Sequence, residues 1–200
     1  MDKMKFEKLG LSFDDLFYER CDKYLALLQQ WGAIHNLTAS LKQDEIETNI
    51  IDSVYPTKFL NDFESLADIG TGAGYPGMLL AIANPTKRVV LVEPRAKRVA
   101  FLNFVKSALK LENVEILKSR VENLDTQHFD IITSRAVSNT TLLLSLTENI
   151  STNDTEYLFY KGSLCDQEIE DAKVKNYDII KYGEHRNYLY MKRKGLFDGI

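Results

Sequence analysis

Apolar side chains recur at Phe13, Leu16, Phe17, Tyr24, Leu27, Leu28 and Trp31. Spacings of three and four put them on one face, so a long amphipathic helix is expected from Phe13 to about Ile34. Ser12, followed by two acids, reads as its cap and suits the positive end of the helix dipole. A second helix is expected from Asp44 to Tyr55, where Ile46, Ile50, Ile51 and Val54 share a face and Pro56 ends the run. Near Ser65 the period changes. Short runs rich in β-branched residues, LADIG, RVVLVEP, VEILKS, FDIITSR and EYLFYKG, now alternate with helical patterns such as PGMLLAIAN, AKRVAFLNFVKSALKL and TTLLLSLTENI. That alternation predicts βαβ units on a parallel sheet covered on both faces. A weaker helical pattern spans about 165–175. The chain closes with YDIIKYG and RNYLYMKRK, which predict an antiparallel hairpin. The expected fold is α/β and Rossmann-like: a mostly parallel seven-stranded sheet over residues 65–200, with an N-terminal helical extension over 1–64.

Composition narrows the class. Apolar residues make up 44% and charged residues 27% of the 200-residue chain, as in a globular protein. No apolar run is long enough to span a membrane, and the start has no secretory pattern, so a cytoplasmic location is expected. Cys21 and Cys165 sit in no Cys-x-x-Cys and read as reduced structural thiols; the three histidines have no metal spacing, and no metal is expected. The net charge of −4 opposes indiscriminate nucleic-acid binding. Its distribution says more, because the excess acids lie in residues 1–64. Two local basic patches follow, one with Arg95, Lys97 and Arg98, the other with Lys192, Arg193 and Lys194. Both are candidate phosphate-gripping surfaces flanking a site.

The chemistry centres on LADIGTGAGYPGMLLA, residues 66–81. Gly70, Gly72, Gly74 and Gly77 lie between a strand and a helix, where bare backbone can approach a ligand. Glu93, at the end of the next strand, is placed to accept from both hydroxyls of a ribose. The ligand therefore contains adenosine, either a nicotinamide dinucleotide or S-adenosylmethionine. Asp68, just ahead of the loop, would repel a pyrophosphate but can accept from the ammonium of a methionine moiety. No dehydrogenase set follows the fourth strand, and the terminal hairpin suits a class I S-adenosylmethionine-dependent methyltransferase. After the third strand, Val121 and Glu122 fall at the carboxyl edge of the sheet, where Glu122 can accept from an adenine amino group. Arg135 reaches the same edge after the fourth strand and can meet a carboxylate, a phosphate or a guanine edge. The chain lacks the Asn/Asp-Pro-Pro-aromatic sequence used in exocyclic amino methylation and the Pro-Cys nucleophile used on pyrimidine carbons. An acceptor that already carries a free lone pair, such as nitrogen 7 of guanine, remains among those allowed. The same cofactor half would also serve a small-molecule or protein methyltransferase, or a non-catalytic adenosine- or RNA-binding module.

The segments WGAIHNLTAS, IIDSVYP, DIGTGAGYPGMLLA, KRVAFLNFV, LENVEILKSRVENL, FDIITSRAV and YKG, in that order from Trp31 to Gly162, resemble the small-subunit ribosomal RNA guanine-N(7) methyltransferases, the RsmG or glucose-inhibited division protein B family. Pro76-Gly77 inside the glycine loop and Ser134-Arg135-Ala136 are its most specific marks. The resemblance implies an enzyme that makes 7-methylguanosine in 16S rRNA and releases S-adenosylhomocysteine. It also implies donor contacts from Gly70, Tyr75, Val121, Glu122 and Arg135. A monomer is expected, and the sequence leaves naked RNA and an assembling particle both open as substrate, with the negative net charge suiting a preformed ribonucleoprotein. One departure stands out: Asn49 occupies a position where the family often has histidine, which leaves the role of that position open.

Overall fold

The computed structural model describes residues 1–35, 37–38, 40–135, 138–184 and 186–196. A short helix α1 (Lys3–Glu7), which the periodicity did not reveal, is capped by Asp2 and buries Phe6. Five residues are too few to establish a helical period, and Phe6 instead joins Phe13, Phe17 and Tyr18 edge to face. The long helix α2 spans Asp15–His35. Asp14 caps it in place of Ser12: its carboxylate accepts the Phe17 N–H at 2.8 Å, three residues on, as an N-cap side chain must. Helix α3 runs Gln43–Val54, and Pro56 sits in a tight 3-10 turn, Tyr55–Lys58, directly after it.

From Ser65 the chain builds β1 (Ser65–Ile69), α4 (Gly77–Ala83), β2 (Arg88–Val92), α5 (Ala96–Leu109), β3 (Val114–Leu117), β4 (Ile131–Arg135), α6 (Thr140–Leu146), β5 (Glu156–Lys161), α7 (Cys165–Ala172), β6 (Tyr177–Tyr182) and β7 (Arg186–Lys192). The seven strands lie in the order β3-β2-β1-β4-β5-β7-β6. The first five are mutually parallel, and β7 runs antiparallel between β5 and β6. Ala136 and Val137, part of the motif after β4, lie outside the described residues, as do His185 in the hairpin turn and residues 197–200.

The central strands read as near-continuous apolar runs because both of their faces are covered. Leu66, Val89, Leu91 and Ile131 point into a core shared with α2, α3, α4 and α5. Ala67, Val90, Val92 and Ile132, one pleat position away, meet α6 and α7. The front helices belong to the first of these cores, since Tyr24, Leu28, Ile50 and Val54 pack in one cluster with Met78, Phe101 and Leu102. Cys21 and Cys165 are free and buried, and burial raises both thiols, Cys165 to about 11, so neither is a reactive thiolate at neutral pH.

From β1 the chain winds outward through β2 and β3, then returns to the other side of β1 as β4. The reversal splits the connecting helices to opposite faces and leaves a crevice beyond the carboxyl ends of β1 and β4.

Candidate active site

A cavity of about 730 Å³ opens at that crevice. The loop after β1 contributes Gly70, Thr71, Gly72 and Tyr75 to its wall; the segment after β2 contributes Glu93, Arg95 and Arg98. Val121 and Glu122, in a 3-10 turn beyond β3, close another side. Arg135 comes from the end of β4, and α3 adds Asn49.

The four glycines do different jobs. Gly70 and Gly72 have φ of 67° and 63°, left-handed values that a side chain strains, and both line the cavity. Gly74 and Gly77 do not line it, although Gly74 also has a positive φ, 105°. A Cβ on Gly74 would stand 2.9 Å from Met78 Cβ, and one on Gly77 would stand 2.5 Å from Leu91 and 2.6 Å from Asp68 Cβ. Gly74, expected to meet the ligand, does not line the cavity; its bare Cα admits Met78 and Leu102, while Gly77 lets α4 close tightly on β1 and β2.

Glu93 is almost fully buried at the cavity wall. One oxygen accepts the Gly72 N–H at 3.0 Å and the other the Arg95 N–H at 2.9 Å, with Arg98 at 3.5 Å. It joins the glycine loop to the next strand while each oxygen keeps a lone pair for a hydroxyl. Glu122 pairs with Arg120 at 3.7 Å on the rim.

Asp68 lies beneath the wall, fully buried. Its Oδ2 accepts the Gly77 N–H at 2.8 Å and its Oδ1 has no partner. Burial pushes this carboxyl up to about 6, against the opposing pull of the Gly77 amide and the Arg135 charge. Thr71 Oγ1 and the Tyr75 hydroxyl are also buried without partners.

Arg135 is the most constrained cation of the site. Its guanidinium lies 4.5 Å from the centre of the Tyr75 ring and donates to Asn49 Oδ1 at 2.9 Å and Asp52 Oδ2 at 3.2 Å. Asp52 is itself held by Arg186 at 2.7 Å and the Tyr188 hydroxyl at 3.0 Å. On the other side of the loop, the Tyr24 hydroxyl of α2 donates to Ala73 O at 2.8 Å. Two helices of the front segment therefore brace the loop and the arginine.

The family model for rRNA small subunit methyltransferase G matches residues 18–194. The chain belongs to that family. Ribosomal RNA small subunit methyltransferase G of Aliarcobacter butzleri is 55% identical over 93% of this chain and 95% of its own length, and that of Wolinella succinogenes is 44% identical over 94% and 96%. Among solved structures, a methyltransferase from Pyrococcus furiosus superposes with a TM-score of 0.60 at 18% identity, covering 88% of this chain and 98% of its own. A SAM-dependent methyltransferase from Aquifex aeolicus gives 0.58 at 18% identity, covering 74% and 92%. At such identity these two bear on the fold alone, which is that of the class I methyltransferases.

For this member of the methyltransferase G family, the cavity fits the expected methyl donor, S-adenosylmethionine. The fully buried Asp68 Oδ1 and Thr71 Oγ1 have no partner, and Thr71 lines the cavity between the side-chain-free Gly70 and Gly72, so polar capacity is left over at the loop that faces the open space. Among the basic residues expected near the site, Arg95 and Arg98 line the cavity, and Lys97 stands exposed beside them on α5. Lys192, Arg193 and Lys194 do not flank it. Because β7 runs antiparallel, Lys192 pairs with Glu156 at the amino end of β5, on the opposite edge of the sheet. There Arg193 bonds to Ser151 Oγ and Tyr157 OH.

Sequence reading missed Asp52 and Arg186 and left Asn49 without a role. The signal for the first was present: Asn49, Asp52 and Ser53 put polar groups three and four apart on a helix whose other buried residues are mostly apolar. Arg186 carried no such mark, since only the strand pairing brings it to Asp52, 134 positions away in the chain.

Proposed function

We propose that this chain transfers a methyl group from S-adenosylmethionine to nitrogen 7 of a guanine in 16S ribosomal RNA, as a monomer in the cytoplasm working on a small-subunit particle. The observation that carries this reading is the Arg135 guanidinium, fixed by Tyr75, Asn49 and Asp52 at the wall of a cavity otherwise built for an adenosine ligand.

When bound, S-adenosylmethionine supplies an electrophilic sulfonium methyl and leaves as S-adenosylhomocysteine. Glu93 would hold the ribose hydroxyls, and Val121 with Glu122 the adenine. Gly70, Gly72 and Tyr75 would shape the seat of the methionine portion, while Asp68 beneath them offers its spare oxygen to an ammonium, directly or through a water. Nitrogen 7 of guanine carries its lone pair in the ring plane and loses no proton on methylation, so the wall need supply no general base. The protein's contribution is then positioning. Arg135, a planar donor held at three points, can engage the acceptor edge of a guanine and set its lone pair in line with the methyl, while the buried Tyr75 ring excludes water beneath it.

Mass analysis of 16S rRNA from a strain lacking the gene is the test. Loss of one 7-methylguanosine, restored by the wild-type gene, is expected; an unchanged 7-methylguanosine content would refute the acceptor assignment.

A further inference from the structure

Two stretches of this chain, Lys23 to Gln43 and Pro94 to Leu111, contain no aspartate or glutamate, although the whole chain carries 29 acids and a net charge of −4. The fold packs these stretches together, the second half of α2 lying along α5. On the seam, the Trp31 ring packs at a tilt against Phe104, with centroids 5.2 Å apart, and against the buried Phe101 at 5.8 Å. Phe104 is 42% exposed, and Ile34, one helical turn beyond Trp31, is 73% exposed. Lys97 is exposed two turns ahead of Phe104 on the same face of α5. The strip reaches the cavity at one end of the seam, where α2 ends and α5 begins: Leu37 and Thr38 after α2 and Arg95 and Arg98 at the start of α5 all line the wall, while Lys23 meets Ala108 O at the other end.

An exposed Phe104 ring, a half-buried Trp31 and exposed aliphatic carbon, with Lys97 on the same face, Arg95 and Arg98 at its cavity end and no acid in either stretch, suit a partner that offers planar apolar faces and regular negative charge. Unpaired RNA offers both: its bases stack on aromatic side chains and its phosphates neutralise lysine and arginine. An acidic protein surface would satisfy the cations but leave the rings uncovered. We propose that the α2–α5 face is a stacking platform for unpaired nucleotides flanking the target guanine, with Trp31, Ile34 and Phe104 receiving bases and Arg95 and Lys97 receiving phosphates. This rests on the ribosomal RNA reading and extends it from the cavity to a defined surface beside it.

Trp31 is the only tryptophan of the chain, so its fluorescence reports on the platform directly. The probes are a single-stranded uridine oligonucleotide, protein-free 16S rRNA and small-subunit particles from the deletion strain, each titrated into the full chain with anisotropy as an independent measure of binding. All three should quench Trp31 emission. Phe104→Ala should weaken oligonucleotide binding about tenfold, the loss of one stacked base, with an unchanged salt slope, while Phe104→Tyr keeps wild-type affinity. Lys97→Ala should lower the slope of log affinity against log salt by about 0.7. Binding without quenching, together with wild-type affinity in Phe104→Ala, would overturn the platform. Quenching by particles but not by protein-free RNA would also overturn it and assign the face to a ribosomal protein. The methylation reading fails separately, through an unchanged 7-methylguanosine content in the deletion strain, an outcome that Trp31 quenching by the oligonucleotide does not depend on.

Discussion

The two edges of the sheet treat their polar groups differently. At the amino edge, Asp130 Oδ2 accepts from the Glu64 and Ser65 N–H groups, each at 2.8 Å, and from the Ser65 hydroxyl. Thr155 Oγ1 donates to Phe129 O, and Arg193 is shared between Ser151 and Tyr157. At the carboxyl edge, Asp68 Oδ1, Thr71 Oγ1 and the Tyr75 hydroxyl are left without partners, and among the described residues these are the only buried side-chain polar atoms so left. An unmatched buried polar group costs about 1–3 kcal/mol. The fold concentrates that cost around the loop after β1, beside the cavity, and leaves no such side-chain atom at the other edge among the described residues.

Breaking the carboxyl edge at Asp52 should have the largest effect. This carboxylate joins Arg135 of β4 to Arg186 and Tyr188 of β7 and anchors both through α3. Asp52→Ala leaves two arginines without their carboxylate and should cost about 3–5 kcal/mol, read as a lowered midpoint in urea unfolding. A loss below about 1 kcal/mol would mean that the front helices do not hold the site.

Arg135→Ala comes next. The guanidinium is an end point of the network, so its removal should leave the fold standing and reduce methylation of small-subunit particles about 100-fold, as expected for a misplaced acceptor. Activity within threefold of wild type would remove Arg135 from the positioning role. Affinity for S-adenosylhomocysteine, measured by calorimetry on the same variant, shows whether the arginine serves donor or acceptor.

How much of this contrast was legible beforehand depends on how far apart its partners lie in sequence. The sheet and its alternating helices were readable because period and β-branched runs are local, and Gly70, Gly72, Glu93, Val121, Glu122 and Arg135 followed from knowing which strand end each occupies. That Gly74 stands off the cavity wall is not legible, because a glycine that admits a ligand and one that admits Met78 look the same in sequence. The patch at Lys192 to Lys194 was set beside the site because composition carries no strand direction; one reversal, at β7, moves those residues to the far edge and brings Arg186 to the near one. Long-range pairs such as Asp52 with Arg186 have no local signature at all.

A smaller effect tests whether the spare polar capacity at Asp68 is used by the donor. The folded carboxyl titrates near 6, above its usual 3.8, because burial disfavours the charged form. The charged form is therefore penalised in the free protein, and folding stability is lost as pH rises from about 4 through 6. A bound ammonium favours the carboxylate, so donor affinity should run the opposite way and strengthen as pH rises through 6. Binding of S-adenosylhomocysteine should be about tenfold weaker at pH 5 than at pH 7, since each unit below the pKa removes about tenfold of the carboxylate form. Asp68→Asn should flatten that dependence. A wild-type profile with no slope between pH 5 and 7 would leave Asp68 as a loop strut alone.

The smallest effect is expected at the amino edge. Lys192 and Lys194 are exposed there, and the backbone N–H of Lys194 closes on Asn153 O while the side chain stays in solvent. Replacing both by alanine should change stability by no more than about 0.5 kcal/mol, the usual range for surface sites. Methylation should stay within twofold, and the salt slope of oligonucleotide binding should match wild type, in contrast to Lys97→Ala. A slope reduced by as much as Lys97→Ala reduces it would show that RNA wraps both edges of the sheet. In that case the difference between the edges would concern only where the methyl is transferred, since hydrogen-bond closure at the amino edge would not have kept the substrate away from it.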